Sequence, residues 1–452
     1  MTELVAIAEK TLLARQKLPE TFGADAIRPS YDGLGLANIA ALAVQWLSPD
    51  APNLCEQPAL PSFNPGLLAT QALSDAWETW LGQAPINHVV LLIVDALGYD
   101  QLQILMDEGD APGLAAACAS SQSFFMPATS VFPSTTVAAL TSAATAYAPA
   151  QHGIMSTHTY FREIGSVVNL IGFRPSVAPT SMPYLETQLN PDTLLPVPNL
   201  YLRLEKSGVN VEIVNCRQFK GSSISRFTSA GSEAGRDGYI GYITPADGLA
   251  QLRDRLLAKS NTSKSFTSLY VPNVDTAAHR YGPLSACCRA EVAALDFSLK
   301  RELLAPLSGR SDTVLLLVAD HGQRPAYPDK ILWLERHPEF TRLLFIPART
   351  GESQCRFLYL RRGAEDAAMD YIQQHFGDRF LAVSKADAIA QGLFGLPGQP
   401  PHDDFCDRIG DLILIPRHDW ACFHEEHYPI IAGVHGGLSR AEMLIPFLAY
   451  RC

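Results

Sequence analysis

The run His88-Val89-Val90-Leu91-Leu92-Ile93-Val94 is apolar at every position after His88 and stops on Asp95. A run this short, rich in β-branched residues and without a polar face, suits a strand buried on both sides. Similar runs recur at Val209–Val214, Ser268–Val271, Thr313–Val318, Arg342–Ile346, Arg356–Leu360 and Asp411–Ile415. Helical patterns lie between many of them, at Ala246–Ala258, Cys288–Leu304 and Ala364–His375. The alternation predicts an α/β fold: a mostly parallel central sheet with helices on both faces. A chain of 452 residues with 47% hydrophobic content can bury the large core such a sheet needs. In these sheets, sites form at the carboxyl ends of the strands.

The organisation predicted along the chain has four parts. Residues 1–84 form a helical and irregular extension packed on the core, with a helix near 40–47 and a proline-rich connection from Ser48 to Pro65. Residues 85–322 form the α/β catalytic core. Residues 323–432 form a smaller inserted α+β cap subdomain, and 433–452 return to the core. The formal net charge of −11 excludes a general binder of nucleic-acid backbones, so an anionic substrate must meet local positive charge. No apolar stretch is long enough to cross a membrane, and the charged first residues lack the order of a secretory leader. Nine cysteines without a C-x-x-C pair read as reduced thiols, and the expected location is cytoplasmic.

Chemistry should be sought where the apolar runs turn polar. Asp95 ends the first run, Asp275 follows Ser268–Val271 with His279 four residues on, and Asp320-His321-Gly322 follows Thr313–Val318. His435 stands in Gly433-Val434-His435-Gly436-Gly437. Singly, each has an ordinary reading: a helix cap, an exposed i,i+4 pair, a glycine-rich turn. Together they offer three carboxylates and three imidazoles, a donor set that suits Zn²⁺ and also Mn²⁺ or Fe²⁺. Between the motifs, Pro133-Ser134-Thr135-Thr136 reads as a helix start, where a hydroxyl meets free N–H groups and the positive end of the helix dipole. Any of Ser134, Thr135 and Thr136 is then a candidate nucleophile. His424-Glu425-Glu426-His427 lacks the spacing of a helical zinc site and reads as a surface loop. His158 and Tyr160 are candidates for lining a substrate pocket.

These motifs resemble the alkaline phosphatase superfamily, and within it the nucleotide pyrophosphatase/phosphodiesterase (type I phosphodiesterase) branch. Asp275-Thr276-Ala277-Ala278-His279-Arg280-Tyr281-Gly282-Pro283 resembles that branch's D-x-x-x-H-x-Y-G-P, and Asp320-His321-Gly322 its D-H-G. The resemblance implies an alkaline-phosphatase-like fold and two divalent metal ions, zinc first, with manganese or iron as alternatives. One metal would take Asp275, His279 and His435; the other would take Asp95, Asp320, His321 and the nucleophile's oxygen. The branch places its nucleophilic threonine sixteen residues before a His-Gly-Ile, and Thr136 stands sixteen before His152-Gly153-Ile154. Thr136 is therefore the expected nucleophile and metal ligand. Its phosphate-contacting asparagine corresponds to Ala139. The implied activity is metal-dependent hydrolysis of a phosphodiester or pyrophosphate bond, in a small nucleotide-like substrate, through a phospho-threonine. The alternatives are a phosphomonoesterase or phosphonate hydrolase on the same site, or a non-catalytic module stabilised by its metals.

Overall fold

The structure is a computed structural model describing residues 3–178, 185–425 and 431–452. Its centre is a seven-stranded sheet, ordered across as Ser123–Thr129, Leu444–Arg451, Thr313–Val318, His88–Val94, Ser265–Val271, Asn210–Cys216 and Tyr239–Tyr242. Only Leu444–Arg451 runs against its two neighbours; every other neighbouring pair is parallel. His88–Val94 is buried along its whole length, as its unbroken apolar sequence requires. Helices cover both faces. The chain has the mostly parallel α/β fold expected of it.

Register sets up the site. Val94 pairs with Val271 on one side, and Ile93 pairs with Val318 on the other. The three central strands therefore end level, and Asp95, the Asn273–Tyr281 helix and Asp320 leave the sheet side by side. Beyond Asp320 the backbone needs glycine. A Cβ on Gly322 would lie 2.0 Å from the Ala441 carbonyl oxygen and 3.0 Å from Gly98 Cα. Gly322→Ala is expected to destabilise the protein by about 1–3 kcal/mol, read by denaturant unfolding, because both obstructions are backbone.

A second seven-stranded sheet is antiparallel throughout: Phe380–Ser384, Leu412–Pro416, Cys355–Leu358, Gly351–Glu352, His158–Phe161, Ser166–Asn169 and Arg174–Pro175. It draws on 158–175, within the stretch read as core, as well as on 351–416. Alternation divides its faces. Phe357, Ile413 and Ile415 join the main core, whereas Leu358, Leu412 and Leu414 pack under helix Glu365–Phe376. The N-terminal helices Glu3–Arg15, Leu36–Leu47 and Gln71–Leu81 share one apolar cluster with the central strands, through Leu12, Ile39 and Trp80.

Two readings of the sequence are corrected here. Arg342–Ile346 is not a strand: it is a turn with one bridge, Leu344 to Leu360. Ser123–Thr129 and Leu444–Arg451 are strands the apolar-run reading passed over, since each contains a proline. Pro127 and Pro446 face each other in register, and Phe447 is the first residue paired with Val318. Pro446 thus lies beyond the end of that ladder, where its missing N–H costs no bond to Thr313–Val318. Among the described residues, no helix is long and apolar enough to cross a membrane, and all nine cysteines are free.

Candidate active site

Three loops at the carboxyl ends of the central strands, with the segment at His435, bring six of the predicted groups together. Asp95, Asp320 and His321 are essentially sealed from solvent, at 2%, 0% and 0% exposure. Asp275 and His279 lie one turn apart on helix Asn273–Tyr281, with His279 Nε2 3.2 Å from Asp275 Oδ1. His435 Nε2 is 3.2 Å from His279 Nε2 and 3.9 Å from Asp275 Oδ1. His321 Nε2 is 3.5 Å from Asp95 Oδ1 and 3.3 Å from Asp320 Oδ2. The rings of His321 and His435 stack at 3.8 Å.

Each imidazole turns its Nδ1 to a backbone carbonyl: His279 to Gly433 at 2.8 Å, His435 to Ser134 at 3.0 Å, His321 to Gly322 at 3.1 Å. A carbonyl only accepts, so Nδ1 holds the proton and Nε2 offers a lone pair inward. Two such lone pairs facing across 3.2 Å repel unless a cation lies between them. Two nitrogens on one tetrahedral zinc stand about 3.3 Å apart. Asp95 Oδ1 and Asp320 Oδ2 are buried without a hydrogen-bond partner among the described residues. Such orphaned acceptors are costly unless a cation meets them. Ligand atoms of Asp275, His279 and His435 lie within 4.8 Å of one another, and so do those of Asp95, Asp275 and His321. The residues present fit divalent metal ions.

Electrostatics agrees. Burial, then Asp320 and Asp275 nearby, holds the Asp95 carboxyl well above the usual 3.8. Burial likewise raises Asp275, partly offset by His279 and His321. Burial, with His321 and His279 beside it, pushes His435 well below 6.5. A ligand set whose charged forms are this unfavourable by themselves is one awaiting a counter-charge.

The three candidate hydroxyls are separated by what they touch. Ser134 Oγ donates to the Gly437 carbonyl at 2.8 Å, and Thr135 Oγ1 donates to Glu352 Oε1 at 3.0 Å. Thr136 Oγ1 alone faces the cluster, 3.1 Å from His321 Nε2. Thr136 opens helix Thr136–Thr145, whose start has no capping side chain among the described residues. The first N–H groups of that helix are therefore open to an anion.

Other expectations fared differently. Ala139 is fully buried in the main core, so no open space is left at its side chain. His158 lines a cleft in the second sheet, whereas Tyr160, on the same face of its strand, packs edge-on against Tyr359 at 5.1 Å. In His424-Glu425-Glu426-His427, the last two residues lie outside the described ones.

Sequence reasoning missed three supports. Tyr270 donates its hydroxyl to Asp95 Oδ2, Gln323 donates to Asp275 Oδ1, and the Glu352 carboxylate accepts from Thr135 and from the Thr157 N–H. Gln323 directly follows the Asp320-His321-Gly322 motif and was within reach of a closer reading. Tyr270→Phe removes the donor that orients Asp95. It is expected to weaken metal binding about 10-fold, measured by titration calorimetry with Zn²⁺.

The type I phosphodiesterase/nucleotide pyrophosphatase family model matches residues 89–438, over three quarters of the chain. The chain belongs to that family. The type I phosphodiesterases are hydrolases of phosphoester bonds, and the site described above lies within the matched span. Solved structures share the fold. An inactivated murine ectonucleotide pyrophosphatase/phosphodiesterase 5 in complex with AMP is 16% identical; 80% of this chain and 88% of that chain align, with a TM-score of 0.56. Human ectonucleotide pyrophosphatase/phosphodiesterase 5 is 15% identical over 80% of this chain and 87% of its own, with a TM-score of 0.57. Phosphonoacetate hydrolase from Sinorhizobium meliloti, in complex with phosphonoformate, is 16% identical over 81% and 91%, with a TM-score of 0.58. No curated protein matches the chain significantly.

Proposed function

We propose that this type I phosphodiesterase is a two-metal-dependent hydrolase that cleaves a phosphodiester or pyrophosphate bond through a phospho-threonine at Thr136. The supporting observation is the convergence of three inward Nε2 atoms and two orphaned carboxylate oxygens beside the Thr136 hydroxyl. Asp275, His279 and His435 would hold one ion, and Asp95, Asp320, His321 and Thr136 the other. When bound, the ions supply positive charge that neutralises phosphate oxygens and eases loss of the Thr136 proton.

The chain's own groups do the rest. Thr136 Oγ1 forms a bond to phosphorus as the bond from phosphorus to the leaving oxygen breaks, and the leaving group takes up a proton. Water then cleaves the phospho-threonine, returning the hydroxyl and releasing the phosphate monoester that keeps the substrate's other substituent. N–H groups at the start of helix Thr136–Thr145 receive a non-bridging oxygen. The segment 323–432, with the strands at 158–175, acts as the cap that selects the substrate. The ligands named for the relatives, AMP and phosphonoacetate, suggest a small phosphorylated molecule, nucleotide-like first and a phosphonate second. A cytoplasmic location and zinc as the resident metal complete this reading.

The test is turnover by purified protein loaded with Zn²⁺ or Mn²⁺, offered bis(p-nitrophenyl) phosphate, its monoester analogue and phosphonoacetate. Diester turnover exceeding the other two is expected. Metal uptake with no turnover of any of them would favour the non-catalytic binding module.

A further inference from the structure

A cleft of about 110 Å³ opens in the second sheet, lined by His158, Ser176, Arg349, Glu352, Arg356 and His424 among others. Glu352 is the wall it shares with the active site. Its carboxylate accepts from Thr135 Oγ1 at 3.0 Å and from the Thr157 N–H at 2.6 Å. A Cβ on Gly436 would meet Glu352 Cβ at 2.6 Å. The cleft therefore begins one residue from Thr136 and one from His435.

Two arginines stand in its lining. Arg356 is 6% exposed and is pinned by its Nε and Nη2 on the Cys422 carbonyl, at 3.3 and 3.0 Å, and by Nη1 on the Thr350 carbonyl at 3.4 Å. A guanidinium carries five N–H groups, so this fixed side chain retains donors. Arg349 is half-buried and paired with the carboxylate of Glu425. His158 and His424 are pushed down to about 4 by burial first and then by neighbouring arginines, Arg356 and Arg349 for both and Arg174 for His158. Both imidazoles are thus neutral near pH 7, which leaves Arg349 and Arg356 as the cations of the cleft. Ser176 Oγ and His424 Nδ1 are buried without a hydrogen-bond partner among the described residues. Two carboxylates oppose the arginines. Glu352 is committed to Thr135 and Thr157, while the Glu425 side chain, 34% exposed, can exchange its partner for water at little cost.

We infer that this cleft is a subsite for a second oxyanion of the substrate, a carboxylate or a phosphonate on a short chain from the reacting phosphorus, and that Glu425 occupies Arg349 in its place when no substrate is bound. This rests on the hydrolase reading above and narrows its substrate class to small molecules bearing two acidic groups.

Two measurements test it. In the first, metal-loaded protein is titrated by calorimetry with phosphonoacetate, methylenebisphosphonate and methylphosphonate. Either diacid is expected to bind at least about 10-fold tighter than methylphosphonate, the worth of one charged hydrogen-bonded contact. The preferred diacid tells carboxylate from phosphonate. Arg349→Met is expected to bring that ratio to about one, and Glu425→Gln to raise it. In the second, kcat/KM is compared for p-nitrophenyl carboxymethyl phosphate and p-nitrophenyl ethyl phosphate, with the same preference expected and the same loss of preference in Arg349→Met. Equal affinity for one and two acidic groups, or a preference that survives Arg349→Met, overturns the subsite. Failure to turn over either ester, with metals bound, overturns the hydrolase reading instead, and the calorimetric ratio still decides the subsite.

Discussion

Thr136→Ala is expected to lower kcat for an aryl phosphodiester by at least about 10³-fold, the scale on which removing an enzyme's nucleophile acts. Folding should be unaffected. Thr136 is the first residue of its helix and only half-buried, and its hydroxyl satisfies no buried backbone group. Alanine is a good helix former there. Metal content should change little, because three side chains of the chain remain around each proposed ion. Thr136→Ser, which keeps the hydroxyl, should restore part of the rate. The measurements are steady-state turnover, thermal unfolding and metal content of the same preparations. Thr135→Ala is the useful contrast: its hydroxyl is spent on Glu352, 3.0 Å away. If Thr136→Ala keeps its rate and Thr135→Ala loses it, the nucleophile is one residue upstream.

Stripping the metals with a chelator is expected to abolish turnover and to lower stability by about 4 kcal/mol, the gain from a ligand held at a thousand times its Kd. The pH dependence carries the diagnosis. Asp95 and Asp275 are raised above 3.8 in the metal-free fold. A group raised in this way stabilises the fold fully below its unfolded value, and that contribution is lost as pH rises through the folded value. His435 is shifted the other way, so its contribution is present above 6.5 and is lost as pH falls. Above 3.8, then, the two raised carboxyls make the metal-free protein lose stability as pH rises through their folded values. The loaded protein does not, since its ligands must be ionised to bind. The gap between the two melting temperatures should widen with pH, and a constant gap would argue against carboxylates as ligands. Asp95→Asn should raise the melting temperature of the metal-free protein at neutral pH while weakening metal uptake, because it removes one of the crowded charges.

Much of the site was legible because it hangs on strand ends. An apolar run that stops on an acid names both the strand and the residue facing the sheet's carboxyl edge, which is how Asp95 and Asp320 were found. Asp275 follows the end of another such run, and its pairing with His279 is what the resemblance to the D-x-x-x-H-x-Y-G-P motif implied. What stayed hidden depends on contacts between distant segments. Glu352 sits on a two-residue strand with no pattern of its own, and it matters only because the second sheet folds back on Thr135. Tyr270 reads as one more apolar strand residue until register places it opposite Ile93, beside Asp95. Ala139 shows the opposite error. Counting three residues from Thr136 along a motif suggested a place at the substrate, but Ala139 is packed into the main core. Prolines hid two strands, because the local rule against them yields on an edge strand, as at Pro127, and beyond the end of one ladder, as at Pro446.

The reversed strand has a bearing on how the molecule is made. Among the described residues, Ser123–Thr129 pairs along its length with Leu444–Arg451, more than 300 residues later. At ribosomal speeds of about 5–20 residues per second, the early segment spends some tens of seconds without its partner. An apolar ribbon such as Ser-Phe-Phe-Met-Pro-Ala-Thr left bare that long invites pairing with another nascent chain, and Pro127, which offers no donor, makes it a poorer template.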